Sequence, residues 1–240
     1  MTQPATGSHA AVPSVYGALS ERRTMTDAVY EQLKTAIVEL RIPPGAPLRE
    51  AEIAQGLSVS KTPVREALGR LEQDGLVTLN SFRSALVTEY TARDLQEIYE
   101  LREIIEVAAA RAAAESMSDK GLADLGRIAS ECVRLNAEGG GGDAPELVQL
   151  ISEFDTVLYE EVRNRRIRAI LENLAAHLAR IGRLTTEIPG RIDASVREHA
   201  QIYEAIERRD PENASRFMRE HIRSVRDDQL RALPAPDPER

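Results

Sequence analysis

Leu48-Arg49-Glu50-Ala51-Glu52-Ile53-Ala54-Gln55-Gly56-Leu57-Ser58-Val59-Ser60-Lys61-Thr62-Pro63-Val64-Arg65-Glu66-Ala67-Leu68-Gly69-Arg70-Leu71 reads as a helix, a short turn and a second helix. Over residues 50–57 the apolar side chains Ile53, Ala54 and Leu57 recur at helical spacing, and Gly56 offers a C-terminal stop. Ser60 can cap the second helix through its hydroxyl, and Pro63 falls in the first turn, where a missing N–H costs little. Val64, Leu68 and Leu71 form the buried stripe, and Lys61, Arg65 and Arg70 lie off it. Long cations near the start of a helix anchored on one face can reach base edges in a major groove, and the hydroxyls of Ser60 and Thr62 can bind phosphate or a base. Arg65 is the foremost candidate for a base contact.

Outward from this pair, a helix is expected over residues 25–40, with Val29, Leu33, Ile37 and Leu40 packing on the other two. Gly75 stops the second helix of the pair, and residues 76–79 and 85–88 read as two short strands joined by Asn80-Ser81-Phe82-Arg83-Ser84. The unit is a winged helix-turn-helix with Arg83 at the wing tip, where a cation can enter a minor groove or pair with phosphate. Thr91-Ala92-Arg93-Asp94 resembles a capping box and puts a domain boundary near Tyr90. Everything beyond reads as helix, near residues 94–115, 119–137, 145–163, 166–185, 192–208 and 211–230, with breaks at Gly139-Gly140-Gly141-Gly142, Asn164 and Pro189-Gly190. The fold class is therefore mainly α: a winged helix-turn-helix over residues 21–90, then an all-α six-helix antiparallel bundle over 91–230. Residues 1–20 and 231–240 are expected to be loose tails. A bundle of this kind encloses a central space, a usual place for a ligand pocket.

The formal net charge of −8 argues against a simple polyanion binder, but it is unevenly spread. Residues 21–90 carry nine Lys or Arg against ten Asp or Glu, and the remaining −7 lies in the second domain. A weakly charged reading head binds DNA best as a dimer, each half contributing contacts. Cys132 stands alone, so no intrachain disulfide can form. No segment is apolar enough to cross a membrane and no signal peptide opens the chain, which together favour a cytoplasmic protein.

The stretch from Val29 to Val87 resembles the winged helix-turn-helix of the GntR family, through Pro43-Pro44-Gly45 and the signature Val59-Ser60-Lys61-Thr62-Pro63-Val64-Arg65-Glu66-Ala67-Leu68. The resemblance implies operator contacts from Lys61, Thr62 and Arg65, with the wing against the groove. The family pattern has Arg where this chain has Ala51, and Gly where it has Ser84; Arg49 is then the nearby cation able to substitute. Residues 97–106, Phe154 to Asn164, Glu198-His199, Ala205-Ile206, Asp210 and His221-Ile222 resemble the FCD domain of the FadR subgroup, in its six-helix, VanR-like branch. That resemblance implies a homodimer, more often a repressor, that binds a palindromic double-stranded operator and is released by a small organic acid.

The family's metal pattern is an Asp, a His four residues later and two further His. Here Ile151 and Asp155 occupy the first two positions, leaving Asp155, His199 and His221 as candidate ligands for zinc or a similar divalent ion. Arg102 borders the apolar stripe of its helix and could clamp an effector carboxylate, or it could pair with Glu106 one turn on. His177 is expected as a packing or surface residue. An enzyme is disfavoured: there is no His-Glu-x-x-His run, no Gly-rich phosphate loop and no Cys pair, which leaves a metal-dependent hydrolase without an evident base. A winged helix that binds protein instead of DNA is the other class weighed.

Overall fold

The computed structural model describes residues 24–79, 84–139, 145–185 and 188–233. Thr24 opens α1 (Met25–Val38) with a capping box: its hydroxyl accepts from the Asp27 N–H at 3.1 Å while the Asp27 carboxylate accepts from the Thr24 N–H at 2.9 Å. Val29, Leu33, Ala36 and Ile37 face the core from α1. Strand β1 (Pro47–Arg49) leads directly into α2 (Glu50–Gly56), then α3 (Lys61–Gln73), β2 (Val77–Leu79) and β3 (Ser84–Val87). The three strands form an antiparallel sheet in the order β1-β3-β2, with Leu48 opposite Ala85 on one side and Val77 opposite Val87 on the other. The third strand, β1, is not expected from the sequence, because three residues after Pro43-Pro44-Gly45 are too short a run to show alternation. It forms because β3 has a free edge and Leu48 can be buried against the helices.

Helix α2 ends at Gly56 as expected, and the left-handed residue of the turn to α3 is Ser58, at φ +55°. One local reading needs correction. Ser60 does occupy the N-cap position of α3, but its side chain makes no capping hydrogen bond. Gly75, at φ +73°, does terminate the unit of α3 as a left-handed residue.

Among the described residues six helices follow: α4 (Ala92–Ser116), α5 (Asp119–Gly139), α6 (Pro145–Glu160), α7 (Arg165–Thr185), α8 (Arg191–Glu207) and α9 (Pro211–Ala232). Their starts are chemically marked. Thr91 and Asp94 close a capping box on α4, Asn164 accepts from the Arg166 N–H at 3.0 Å ahead of α7, and Asp210 accepts from the Asn213 N–H at 3.0 Å with Pro211 at the first helical position of α9. Tyr99, Leu125, Ile128, Phe154, Leu158, Ile202, Ile206 and Met218 make the bundle core. Helix α7 belongs to both halves: Leu171 packs with Ile105, Ala109 and Val162, while Ala176 joins the core of the winged unit.

Candidate nucleic-acid interface and buried polar site

Lys61, Thr62 and Arg65 are exposed on the N-terminal turns of α3, held there by the burial of Val64, Ala67, Leu68 and Leu71 on the opposite face. Arg65 reaches across to α2: its Nε donates to Glu50 Oε1 at 2.9 Å and its Nη2 to Glu50 Oε2 at 2.8 Å, a two-point fork. Arg49, also exposed, pairs with Glu52 at 2.7 Å. Arg70, which the sequence groups with the groove-facing cations, has a different task. It donates to Asp27 at 2.7 Å and stacks 4.0 Å above the Tyr30 ring, bracing α3 against α1. Together with the Thr24 hydrogen bonds, which act most strongly, this contact holds the Asp27 carboxyl at a pKa of about 2. Arg83 lies outside the described residues.

The two halves meet in a polar seam. Tyr30 donates to the Asp74 carboxylate, and Lys34 donates to the Tyr30 oxygen at 3.0 Å. His177 of α7 meets the Asp74 backbone carbonyl at 2.6 Å through Nε2 and the Tyr90 hydroxyl at 2.8 Å through Nδ1. A carbonyl can only accept, so Nε2 carries a proton; burial lowers the ring's pKa and so favours the neutral form, in which Nδ1 accepts from Tyr90. Arg180, one turn further along α7, donates to the Thr88 carbonyl and lies over the Tyr90 ring at 4.7 Å. Its Nε and Nη1 have no hydrogen-bond partner among the described residues. His177 is therefore neither a plain packing residue nor a surface one; it joins the helical bundle to the C-terminal end of α3. Nothing in sequence could show this, because its partner is a backbone carbonyl 103 positions away.

Inside the bundle a second set of polar side chains is buried. Arg102 donates to Glu106 at 2.7 Å, with side-chain exposures of 7% and 1%. Burial alone would lower the Arg102 pKa, but the Glu106 carboxylate overrides it, and the guanidinium remains charged. His199 Nδ1 donates to the Ser195 carbonyl at 2.7 Å, which leaves Nε2 facing Asp155 Oδ1 at 3.4 Å, too long for a well-formed hydrogen bond. The His199 and His221 rings meet edge-on at 4.6 Å, and His221 Nδ1 meets Glu198 Oε2 at 2.7 Å. Burial works against a charge on both rings. The Asp155 carboxylate reverses this for His199, whose pKa is raised, while His221 stays lowered. Arg191, fully buried, donates to Ser224 at 2.6 Å, to Asp228 at 2.9 Å and to Glu198. The hydroxyls of Tyr99 and Tyr159 are buried beside Arg102 and Glu106 and, like His199 Nε2, lack a hydrogen-bond partner among the described residues.

The candidate ligands are thus brought together in part. Asp155, His199 and His221 are neighbours, and each histidine has its Nδ1 engaged by a carbonyl or a carboxylate, the arrangement that presents Nε2 to an ion. Among the described residues, however, no three His, Cys, Asp or Glu side chains converge closely enough to chelate one as they stand. Arg102 borders the same region and is bound to Glu106. Tyr99, Tyr159 and Glu198 lie inside the stretches that carry the FCD resemblance but are not singled out there, though Glu198, adjacent to His199, could have been suspected; Arg191 carries no sequence signal.

Residues 25–87 match the family described as bacterial regulatory proteins, gntR family, and residues 97–224 match the FCD domain. The chain is 29% identical over 195 residues to an uncharacterised helix-turn-helix transcriptional regulator, YdhC, of Bacillus subtilis (strain 168), covering 80% of this chain and 85% of that protein. It is 26% identical over 213 residues to the transcriptional repressor RspR of Escherichia coli (strain K12), covering 86% and 90%. It is 29% identical over 202 residues to a probable D-xylose utilization operon transcriptional repressor of Paenarthrobacter nicotinovorans, covering 84% and 87%. In fold it is similar to E. coli McbR/YncC, with a TM-score of 0.71 at 22% identity over 87% of this chain and 98% of that one. Among the described residues no helix is long and apolar enough to cross a membrane. With a recognition helix presented on its winged unit and a polar site enclosed in its bundle, the chain belongs to the GntR family of DNA-binding transcriptional regulators, with a C-terminal FCD domain.

Proposed function

We propose that the chain is a cytoplasmic, homodimeric repressor that holds a palindromic operator through paired α3 helices and releases it when a small organic acid enters the bundle. The observation that carries this reading is the pair of buried hydroxyls without a hydrogen-bond partner among the described residues, Tyr99 Oη and Tyr159 Oη beside the Arg102 cation, with His199 Nε2 met only by Asp155 at 3.4 Å. An unmet buried polar atom costs about 1–3 kcal/mol, so a ligand that supplies acceptors to the hydroxyls and a carboxylate to the cation is favoured there. A divalent ion is a second reading of the same site: His199, His221 and Asp155 would have to close in from their present arrangement to hold it, and it would supply a positive anchor for the acid's carboxylate. For dimerisation, the outer face of α4 and α9 is the proposed surface: Ile104 is 72% exposed there, beside a groove of about 540 Å³ that also includes Val107, Ala108, Arg111 and Arg216.

The effector acts by shifting a population. A hundredfold preference for the DNA-incompetent arrangement is worth about 2.7 kcal/mol, enough to move most of a marginal equilibrium. The test is fluorescence anisotropy of the full chain on a duplex selected from a random pool, titrated with mono- and dicarboxylic acids before and after chelation, alongside metal analysis. Release by an acid that also raises the melting temperature supports the reading, and loss of that release after chelation adds the ion. Acids that neither bind nor release DNA would refute it.

A further inference from the structure

Resting on the reading that α3 enters a major groove, we infer that Glu50 is a specificity-determining positioning residue, which locks Arg65 into a geometry that accepts guanine and rejects the other bases. A guanidinium has two hydrogen-bonding edges of interest: the side edge, Nε with Nη2, and the end edge, Nη1 with Nη2. Glu50 occupies the side edge with both carboxylate oxygens, at 2.9 and 2.8 Å. That leaves the end edge, on a side chain that is 58% exposed.

Glu50 is itself only 14% exposed at the first position of α2, so the carboxylate is the fixed member of the pair and the guanidinium is oriented by it. Most exposed ion pairs do little, because both partners wander. This one differs: the anchor is largely enclosed, and the two contacts together fix the guanidinium plane. The two donors of the end edge match the O6 and N7 acceptors of guanine. Adenine offers N7 beside a donor, thymine a single acceptor and a methyl, and cytosine a donor. Freed from Glu50, the same guanidinium could rotate onto a phosphate, which would keep attraction and lose the reading of sequence. Glu50 thus contributes nothing attractive toward DNA, being an anion; its effect is on discrimination.

The test uses the full-length chain and a duplex chosen by wild-type selection from a randomised pool. Affinity is compared between that duplex, versions in which each guanine pair is replaced by an adenine pair, and a random-sequence duplex at the same salt. For the wild type, one guanine per half-site is expected to be worth about tenfold or more. Glu50→Ala should collapse that ratio to within about threefold while binding to the random duplex holds or strengthens, since a negative charge has gone. Adding Arg65→Ala to Glu50→Ala should remove no further discrimination. A Glu50→Ala protein that keeps full guanine discrimination overturns the proposal, as does one whose affinity rises equally for every duplex with the ratio intact. If Arg65→Ala alone changes neither affinity nor discrimination, the placement of α3 in the groove fails first, a result distinct from failure of Glu50. Should Glu50→Ala lower the melting temperature of the winged unit, Glu50→Gln preserves the side chain's size and replaces one acceptor by an amide donor; the same ratio, read on that variant, decides the question.

Discussion

Replacing Gly75 by Ala probes the seam between the halves where His177 of α7 meets the end of α3. Gly75 lies at φ +73°, and a Cβ built there would stand 3.3 Å from His177 Cε1 and 3.4 Å from Nε2. Two costs add. The left-handed backbone costs an alanine about 1 kcal/mol. The methyl also crowds the ring that donates to the Asp74 carbonyl at 2.6 Å, and weakening that hydrogen bond costs about another 1 kcal/mol. Gly75→Ala should therefore destabilise the winged unit by about 2 kcal/mol, followed by urea unfolding monitored by circular dichroism. The decisive measurement is the double-mutant cycle with His177→Ala. With the ring gone the methyl meets open space, only the backbone cost should remain, and the coupling should be about 1 kcal/mol. Equal costs in both backgrounds would show that the ring contact carries nothing and that the seam is not closed through His177.

Three further outcomes are expected. Ser58→Gly, relieving a left-handed serine at φ +55° on the exposed turn before α3, should stabilise the winged unit by up to about 1 kcal/mol, read as a rise in melting temperature. Because burial lowers the His177 pKa below its ordinary 6.5, the unfolded chain takes up that proton first; His177's contribution to stability is complete above about pH 6.5 and is lost as pH falls below it. Melting curves between about pH 5 and 7.5 should lose part of their acid sensitivity in His177→Gln, leaving His221, which acts in the same direction, and His199, whose raised pKa acts in the opposite one. Arg102→Ala leaves the buried Glu106 carboxylate uncompensated and should cost about 3–5 kcal/mol, whereas the double change Arg102→Met with Glu106→Leu should come out near neutral in chemical denaturation and abolish any stabilisation by carboxylic acids.

The features legible in the sequence were those written in local chemistry. The Thr91 and Asp94 box, the Asp210-Pro211 start and the apolar stripe Val64, Leu68, Leu71 each act within a few residues, and the helices they mark appear within two or three residues of expectation. The Arg102 and Glu106 pair was legible as one of two alternatives, being one helical turn apart. What escaped depends on contacts distant in the chain. β1 exists only through β3, the Arg65 fork closes on a residue 15 positions earlier, and Arg70 is drawn to Asp27 across 43. Periodicity correctly gave Arg70's place on the helix but could not say which oppositely charged neighbour would claim it.

Strand β3 has a hydrogen-bonded neighbour on each side: β2, which follows α3, and β1, which runs without a break into α2. The strands of the wing and the helix that carries Lys61 and Arg65 are thereby one mechanical piece. A head whose internal arrangement is set before it meets the duplex loses little conformational entropy in doing so, and ordering a loose strand would otherwise cost about 1–2 kcal/mol for each residue fixed. The thermodynamic signature of DNA binding should then be a heat-capacity decrease that matches the apolar area covered, with no added folding component.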